Sequence, residues 1–185
     1  TSLIQPGGFL TMRHGVNLQT RLQEGAKLYT YSAEEGDFHA ENIRIGGGEI
    51  RFDYISPLGN IQDVQLGVPV AINIENGIAA MALAQVSGVT NEEIKAGMAS
   101  FRGVDRRFDF KIKTDKMVYL SDYAHHPEEI KQSILSMPAL YKDKKLTAIF
   151  QPHLYTRTRD FYQEFAESLS LLDEVIITEI GRAHV

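Results

Sequence analysis

Apolar and polar residues alternate with a period of two through much of the first third of the chain and then change to a helical spacing. Between Phe9 and about Leu66, the runs Lys27-Leu28-Tyr29-Thr30-Tyr31, Asn42-Ile43-Arg44-Ile45 and Glu49-Ile50-Arg51-Phe52-Asp53-Tyr54-Ile55 predict strands, because successive side chains of a strand point to opposite faces. Gly46-Gly47-Gly48 divides two of them and predicts a hairpin, where the turn needs the positive φ that Gly adopts at little cost. Ser56-Pro57-Leu58-Gly59-Asn60 predicts another turn, leading to a strand from Gln62 to Val68, so this part reads as an antiparallel or mixed sheet. Asn76 to Val86 is rich in Ala, Met and Leu and stops at Gly88, which predicts a helix. Thr90, with Glu93 three residues on, forms a capping box for a second helix running to about Phe101. Asn73 and Asn76 bracket the start of the first helix and are most simply caps.

After Phe108 the period changes again. Phe108 to Lys113 and Met117 to Ser121 predict strands about a Thr114-Asp115-Lys116 turn. Pro127 at a first helical position, with Glu128 and Glu129 in the first turn, opens a helix to about Leu140. Leu146 to Phe150 predicts a strand, Thr158 to Leu172 a helix and Glu174 to Thr178 a strand. That β-α-β-α-β order is the pattern of a Rossmann-like parallel sheet with crossover helices. The fold class is therefore α/β in two parts, a mixed sheet with a helix pair and then a parallel-sheet domain, with the boundary near Asp105.

Composition narrows the function classes. At 185 residues and 43% hydrophobic, without low-complexity tracts, the chain can bury a core and is not disordered. No apolar run approaches the roughly 18 residues of a membrane span, and the first residues lack a signal-peptide pattern, so a cytoplasmic protein with no membrane partner is expected. The absence of cysteine removes thiolate nucleophiles, disulfides and Cys-based zinc sites. A net charge of −5 argues against a nucleic-acid partner.

Candidate chemistry gathers in two short loops. Asp122-Tyr123-Ala124-His125-His126-Pro127 and Gln151-Pro152-His153-Leu154-Tyr155-Thr156-Arg157-Thr158-Arg159 each follow a predicted strand and precede a predicted helix. Ligands collect at the carboxyl ends of parallel strands, so both loops are expected to face one crevice. His125 and His126 precede a helix N-terminus, which favours an anion. Alternatively one caps the helix while the other lies in solvent, and metal binding is a third option that adjacent histidines seldom satisfy together. Arg157 and Arg159 offer guanidinium forks suited to carboxylate or phosphate, or are solvated first-turn residues. The Arg106-Arg107 doublet would hold a phosphate near the boundary, or pair with Asp105 and Asp109 at the surface.

Four ordered segments carry a resemblance. Asn73-Ile74-Glu75-Asn76-Gly77-Ile78-Ala79-Ala80, Phe101-Arg102-Gly103-Val104-Asp105-Arg106-Arg107-Phe108, Asp122 to Pro127 and Phe150 to Arg159 together resemble the Mur ligase family over nearly the whole chain. The resemblance implies a late piece of the family's central ATPase domain at 1–105 and a truncated C-terminal domain at 106–179. It implies an ATP- and Mg²⁺-dependent, amide-forming ligase of peptidoglycan precursor synthesis. Within the family, the Phe150 to Arg159 stretch favours the branch joining L-alanine to UDP-N-acetylmuramate over the branch attaching a recycled tripeptide. By the family's motifs, Asn73 and Asn76 would lie near adenine, Arg107 near the ATP phosphates, Asp122 near the ribose, and Tyr123, His125, His153 and Arg157 around the muramoyl and alanine groups. His125 and Arg107 are the implied catalytic residues. Ile72, Ser121 and Leu154 stand where many relatives have His, Asp and Arg.

The same resemblance marks what the segment does not carry. There is no Gly-x-x-Gly-Lys-Ser/Thr phosphate loop, and the family's magnesium ligands and UDP-binding domain are expected upstream, so no metal ligand is assigned here. The chain by itself is expected to have no ligase activity. Ile180 to Val185, after the resemblance stops, read as a non-native tail. Two other readings follow from the residues: a non-catalytic nucleotide or sugar-nucleotide binding module, and a metal-dependent hydrolase using His125, His126 and His153.

Overall fold

The computed structural model describes residues 4–180; of the expected non-native tail, residues 181–185 lie outside the described residues. The chain divides into two compact units, Thr1–Ile45 with Glu49–Arg102, and Gly46–Gly48 with Gly103–Val185.

In the first unit, β1 (Phe9–Arg13) and β2 (Lys27–Tyr31) pair in parallel. A second sheet has the order β3 (His39–Gly46), β4 (Glu49–Ile55), β5 (Ile61–Gln65), with β4 and β5 antiparallel. The predicted mixed sheet is thus present as two sheets. Along β4 the alternation is realised in burial, with Ile50, Phe52 and Tyr54 pointing into the core, as a strand with one solvated face requires. The register slips between Phe52 and Tyr54, where Asp63 of β5 takes φ 52° and forms a bulge.

The helix pair follows as α1 (Ile72–Val86) and α2 (Asn91–Ser100). Ile74, Ile78, Met81 and Ala82 form the buried stripe of α1, which packs on β1, β2 and α2. The helix begins four residues before Asn76, so neither asparagine caps it. Ala71 holds the N-cap position without a side-chain bond, and Asn73 lies inside the first turn with its amide donating to the Val68 carbonyl at 3.3 Å. The Thr90-Glu93 capping box is present as read, with both reciprocal bonds made.

In the second unit, β6 (Asp109–Lys113) and β7 (Val118–Ser121) form an antiparallel hairpin. Then come α3 (Pro127–Leu140), β8 (Thr147–Phe150), α4 (Tyr155–Asp160), α5 (Tyr162–Leu169) and β9 (Glu174–Ile177). The alternation along the chain matches the sequence reading and the class is α/β. Parallel pairing, however, joins only β8 to β9, with Thr147 opposite Glu174, while β7 pairs with β6 among the described residues. The single helix expected over 158–172 is two helices. Phe161 leaves the helical region at φ −123° and ψ 26°, yet its N–H still reaches Arg157 O and its carbonyl still takes Phe165 N–H. Ile130, Ile134, Phe165 and Leu169 form the core, with Ala124, Phe150 and Leu172 packed against it. This core anchors α3 and α5, and so fixes the loops that lead into α3 and α4.

Candidate active site

The two loops named from the sequence are the β7–α3 and β8–α4 connections, each placed after a strand and before a helix. They meet. The Tyr123 ring lies 5.9 Å from the His153 ring in an edge contact and 5.2 Å from the His125 ring, within the range of favourable aromatic pairs. Arg157, on the first turn of α4, donates from Nη1 to the His125 carbonyl at 3.4 Å. Tyr123, His125, His153 and Arg157 therefore share one surface, as the sequence reading expected.

Arg159 does not join them. It pairs with Asp160 at 2.8 Å and is exposed. Two helical residues separated by one position point about 200° apart, so α4 can present Arg157 or Arg159 to the other loop but not both. His126 also departs from the group. It occupies the N-cap of α3 at φ −118°, and its ring lies against Phe161 at 5.2 Å. Of the adjacent histidines, His125 packs on Tyr123 of the shared loop surface and His126 on Phe161, at the junction of α4 and α5.

Glu129 ties the first loop down. Three residues into α3, its Oε2 accepts the His125 N–H at 3.0 Å and the His126 N–H at 3.3 Å, two donors at a helix start that would otherwise lack partners. The same oxygen lies 3.5 Å from His125 Nδ1, which is 2.9 Å from the Tyr123 carbonyl. Burial pushes the Glu129 carboxyl upward, but the His125 N–H and imidazole, the His126 N–H and the Arg107 charge outweigh it and hold the group below the usual carboxylate range.

Arg107 reaches this region through strained backbone. Its neighbours Arg106 and Phe108 sit at φ 61° and 48°, a conformation that costs a non-glycine residue on the order of 1 kcal/mol or more. Two contacts hold it in place. The Arg106 carbonyl accepts the Tyr123 N–H at 2.5 Å, and the Phe108 ring is buried edge-on against Phe110 at 5.5 Å. The Asp105 and Asp109 carboxylates form their ion pairs with Lys111 and not with the arginine side chains as the surface reading supposed, while Asp109 also accepts the Arg106 backbone N–H at 3.4 Å.

Asp122 is exposed and its Oδ2 accepts from Ser133 Oγ at 2.5 Å. In the first unit, Asn76 Nδ2 donates to Asn73 Oδ1 at 3.1 Å, so the asparagines form a linked pair on the first turn of α1. The sequence reading missed Glu129, Ser133 and Phe161 as supporting residues. Glu129 was legible, because it lies at capping-box distance from His126. Ser133 and Phe161 had no local signal. Among the described residues no group of three His, Asp or Glu is placed to hold a metal ion. The hydrolase reading of His125, His126 and His153 therefore loses its donor set. Among the described residues no helix is long and apolar enough to cross a membrane.

The chain is similar to proteins of known sequence and structure. Residues 106–184 match the family model described as Mur ligase, glutamate ligase domain. The UDP-N-acetylmuramate-L-alanine ligase of Phocaeicola vulgatus is 80% identical over 180 residues, and that of Parabacteroides distasonis 60% identical over 181 residues. Each alignment covers 97% of this chain and 39% of the relative, so the chain spans well under half the length of the curated relatives it matches. The crystal structure of the UDP-N-acetylmuramate-alanine ligase of Thermotoga maritima superposes with a TM-score of 0.70 at 27% identity, covering 83% of this chain and 34% of that one. Through this likeness in sequence, and a fold shared with a solved member, the chain belongs to the Mur ligase family.

Proposed function

We propose that the chain is the segment of a cytoplasmic ligase that uses ATP to join L-alanine to UDP-N-acetylmuramate in peptidoglycan precursor synthesis, and so serves cell-wall growth, shape and division. Residues 1–105 are read as the late part of the central ATP-binding domain and 106–179 as part of the C-terminal domain. The observation that carries the reading is the 80% identity to the Phocaeicola vulgatus ligase across nearly the whole chain. No nucleic acid or membrane enters this reading.

The reaction sets an electrostatic demand that the crevice can meet. ATP supplies the phosphoryl group that turns the lactyl carboxylate into an acyl phosphate, and the alanine amine then displaces phosphate to form the amide. Both the acyl phosphate and the tetrahedral intermediate are anionic, so fixed cations and dipoles stabilise them most. Arg107, exposed and held by its strained flanks, is assigned to the phosphates. Arg157, fastened to the His125 carbonyl, is assigned to the carboxylate end of the substrates. Tyr123 and His153 wall the muramoyl and alanine groups, and His125 works at the reacting amine.

The nucleotide assignments fit what these side chains leave free. Asp122 spends Oδ2 on Ser133, and its other oxygen can accept from ribose hydroxyls. Asn76 donates to Asn73 and keeps its amide oxygen for an adenine amino group. Mg²⁺ is assigned to no residue of this segment.

The test is a graft. Replacing the matching segment of the Phocaeicola vulgatus ligase with this chain should give a protein that forms UDP-N-acetylmuramoyl-L-alanine at a rate comparable to the parent, dependent on ATP and L-alanine. A folded graft that forms no such product, or that uses a tripeptide in preference to L-alanine, would overturn the assignment.

A further inference from the structure

His125 Nδ1 faces two groups that only accept hydrogen bonds, the Tyr123 carbonyl at 2.9 Å and the Glu129 carboxylate at 3.5 Å. Nδ1 therefore carries the hydrogen, and Nε2 is the ring nitrogen left with a lone pair. A carboxylate and a carbonyl on one imidazole nitrogen fix the ring and its tautomer and stabilise the imidazolium formed when the other nitrogen takes a proton. Glu129 is itself anchored by the backbone N–H groups of His125 and His126, so it cannot swing away without undoing the start of α3. The other charges near this pair are Arg107, whose field acts on Glu129, and Arg157, on the His125 carbonyl. The Tyr123 ring covers one side of His125 and contacts His153.

We propose that Glu129 is the positioning residue that makes His125 a base toward the incoming amino group. The inference rests on the ligase reading above and goes beyond it by assigning the proton. L-Alanine arrives as an ammonium ion, which has no lone pair with which to attack. One N–H bond breaks, its electron pair stays on the alanine nitrogen, and the proton passes to His125 Nε2. The freed lone pair attacks the acyl carbon, phosphate leaves with the electrons of the C–O bond, and the second N–H proton of the attached nitrogen goes to the departing phosphate, leaving the neutral amide. The imidazolium, held by Glu129, returns its proton to water.

The experiment uses the grafted ligase and two nucleophiles. Hydroxylamine is largely unprotonated near neutral pH and needs no base, whereas L-alanine does. Glu129→Gln keeps an acceptor for both backbone N–H groups and removes only the charge. It is expected to lower the ratio of amide to hydroxamate formation by about tenfold, a part of the roughly 10²–10⁴ that a general base contributes, with the KM for L-alanine little changed. Glu129→Asp should restore most of the ratio. An unchanged ratio in Glu129→Gln, whether or not both rates fall together, would show that Glu129 only caps the helix and would overturn the proposal while the ligase reading stands. If the unmodified graft forms neither product, the ligase reading fails and this inference falls with it.

Discussion

The carboxylate of Asp53, in the middle of β4, accepts the Asp63 N–H and the Asn42 side-chain amide, each at 2.8 Å. Both partners sit at positive φ, so one side chain holds two uncommon backbone conformations on the flanking strands. The Asp63 N–H and the Asn42 amide, in that order of weight, hold the Asp53 carboxyl below its usual range. The folded state thus binds this proton less readily than the unfolded chain. The stabilisation is present above the unfolded pKa of about 3.9 and is lost as pH falls through the lower folded value. Urea unfolding should show Asp53→Asn less stable than the parent at neutral pH, with the difference shrinking as pH falls below the unfolded pKa and through the lower folded one. Gly67 is constrained differently. A Cβ there would lie 2.0 Å from the Phe101 carbonyl oxygen and 2.8 Å from that of Met98, and backbone atoms cannot step aside. Gly67→Ala should cost about 1–3 kcal/mol in denaturant unfolding, the usual range for overpacking. Neither Asp53 nor Gly67 was legible in the sequence, because each acts on partners brought near only by folding. The division of labour between His125 and His126 was half legible. That one would cap α3 and the other would not followed from Pro127, but which one depended on Phe161, thirty-five positions beyond His126.

Elements whose signals are local were read correctly. Thr90 and Glu93 specify the start of α2 by themselves, and the Thr90 hydroxyl accepts the Glu93 N–H at 3.3 Å while the Glu93 carboxylate takes the Thr90 N–H at 3.1 Å. Thr90→Ala should destabilise the chain by about 1 kcal/mol in the same unfolding experiment, and no change would mean that tertiary packing alone places α2. The β4 alternation and the Pro127 start of α3 were equally plain. The break between α4 and α5 was not, because the backbone bonds on either side of Phe161 continue and only that one residue leaves the helical region. Strand partners were also hidden. Alternation along the chain sets the α/β class and the Thr114-Asp115-Lys116 turn announces the β6–β7 pair, but whether β7 also gains a parallel neighbour is a long-range choice that no local pattern encodes.

At the scale of the molecule, the sequence order of two loops after strands sufficed to anticipate a shared crevice, since strand ends gather ligands. The aromatic contact from Tyr123 to His153 and the bond from Arg157 to His125 realise it within the second unit. Lacking a Gly-x-x-Gly-Lys-Ser/Thr loop, the 185-residue chain alone should release no phosphate from ATP in the presence of UDP-N-acetylmuramate and L-alanine. The central claim of the proposed function is that the loop surface around His125, and not the junction of α4 and α5 around His126, takes part in the ligation. It is tested most directly by comparing His125→Ala with His126→Ala in the grafted ligase. Loss of a group acting as base in the transition state predicts a fall of about 10²-fold or more in kcat/KM for His125→Ala. His126→Ala, which removes a ring packed on Phe161, should retain most of the activity and lose only stability. Equal losses, or a greater loss for His126→Ala in a folded protein, would contradict the account.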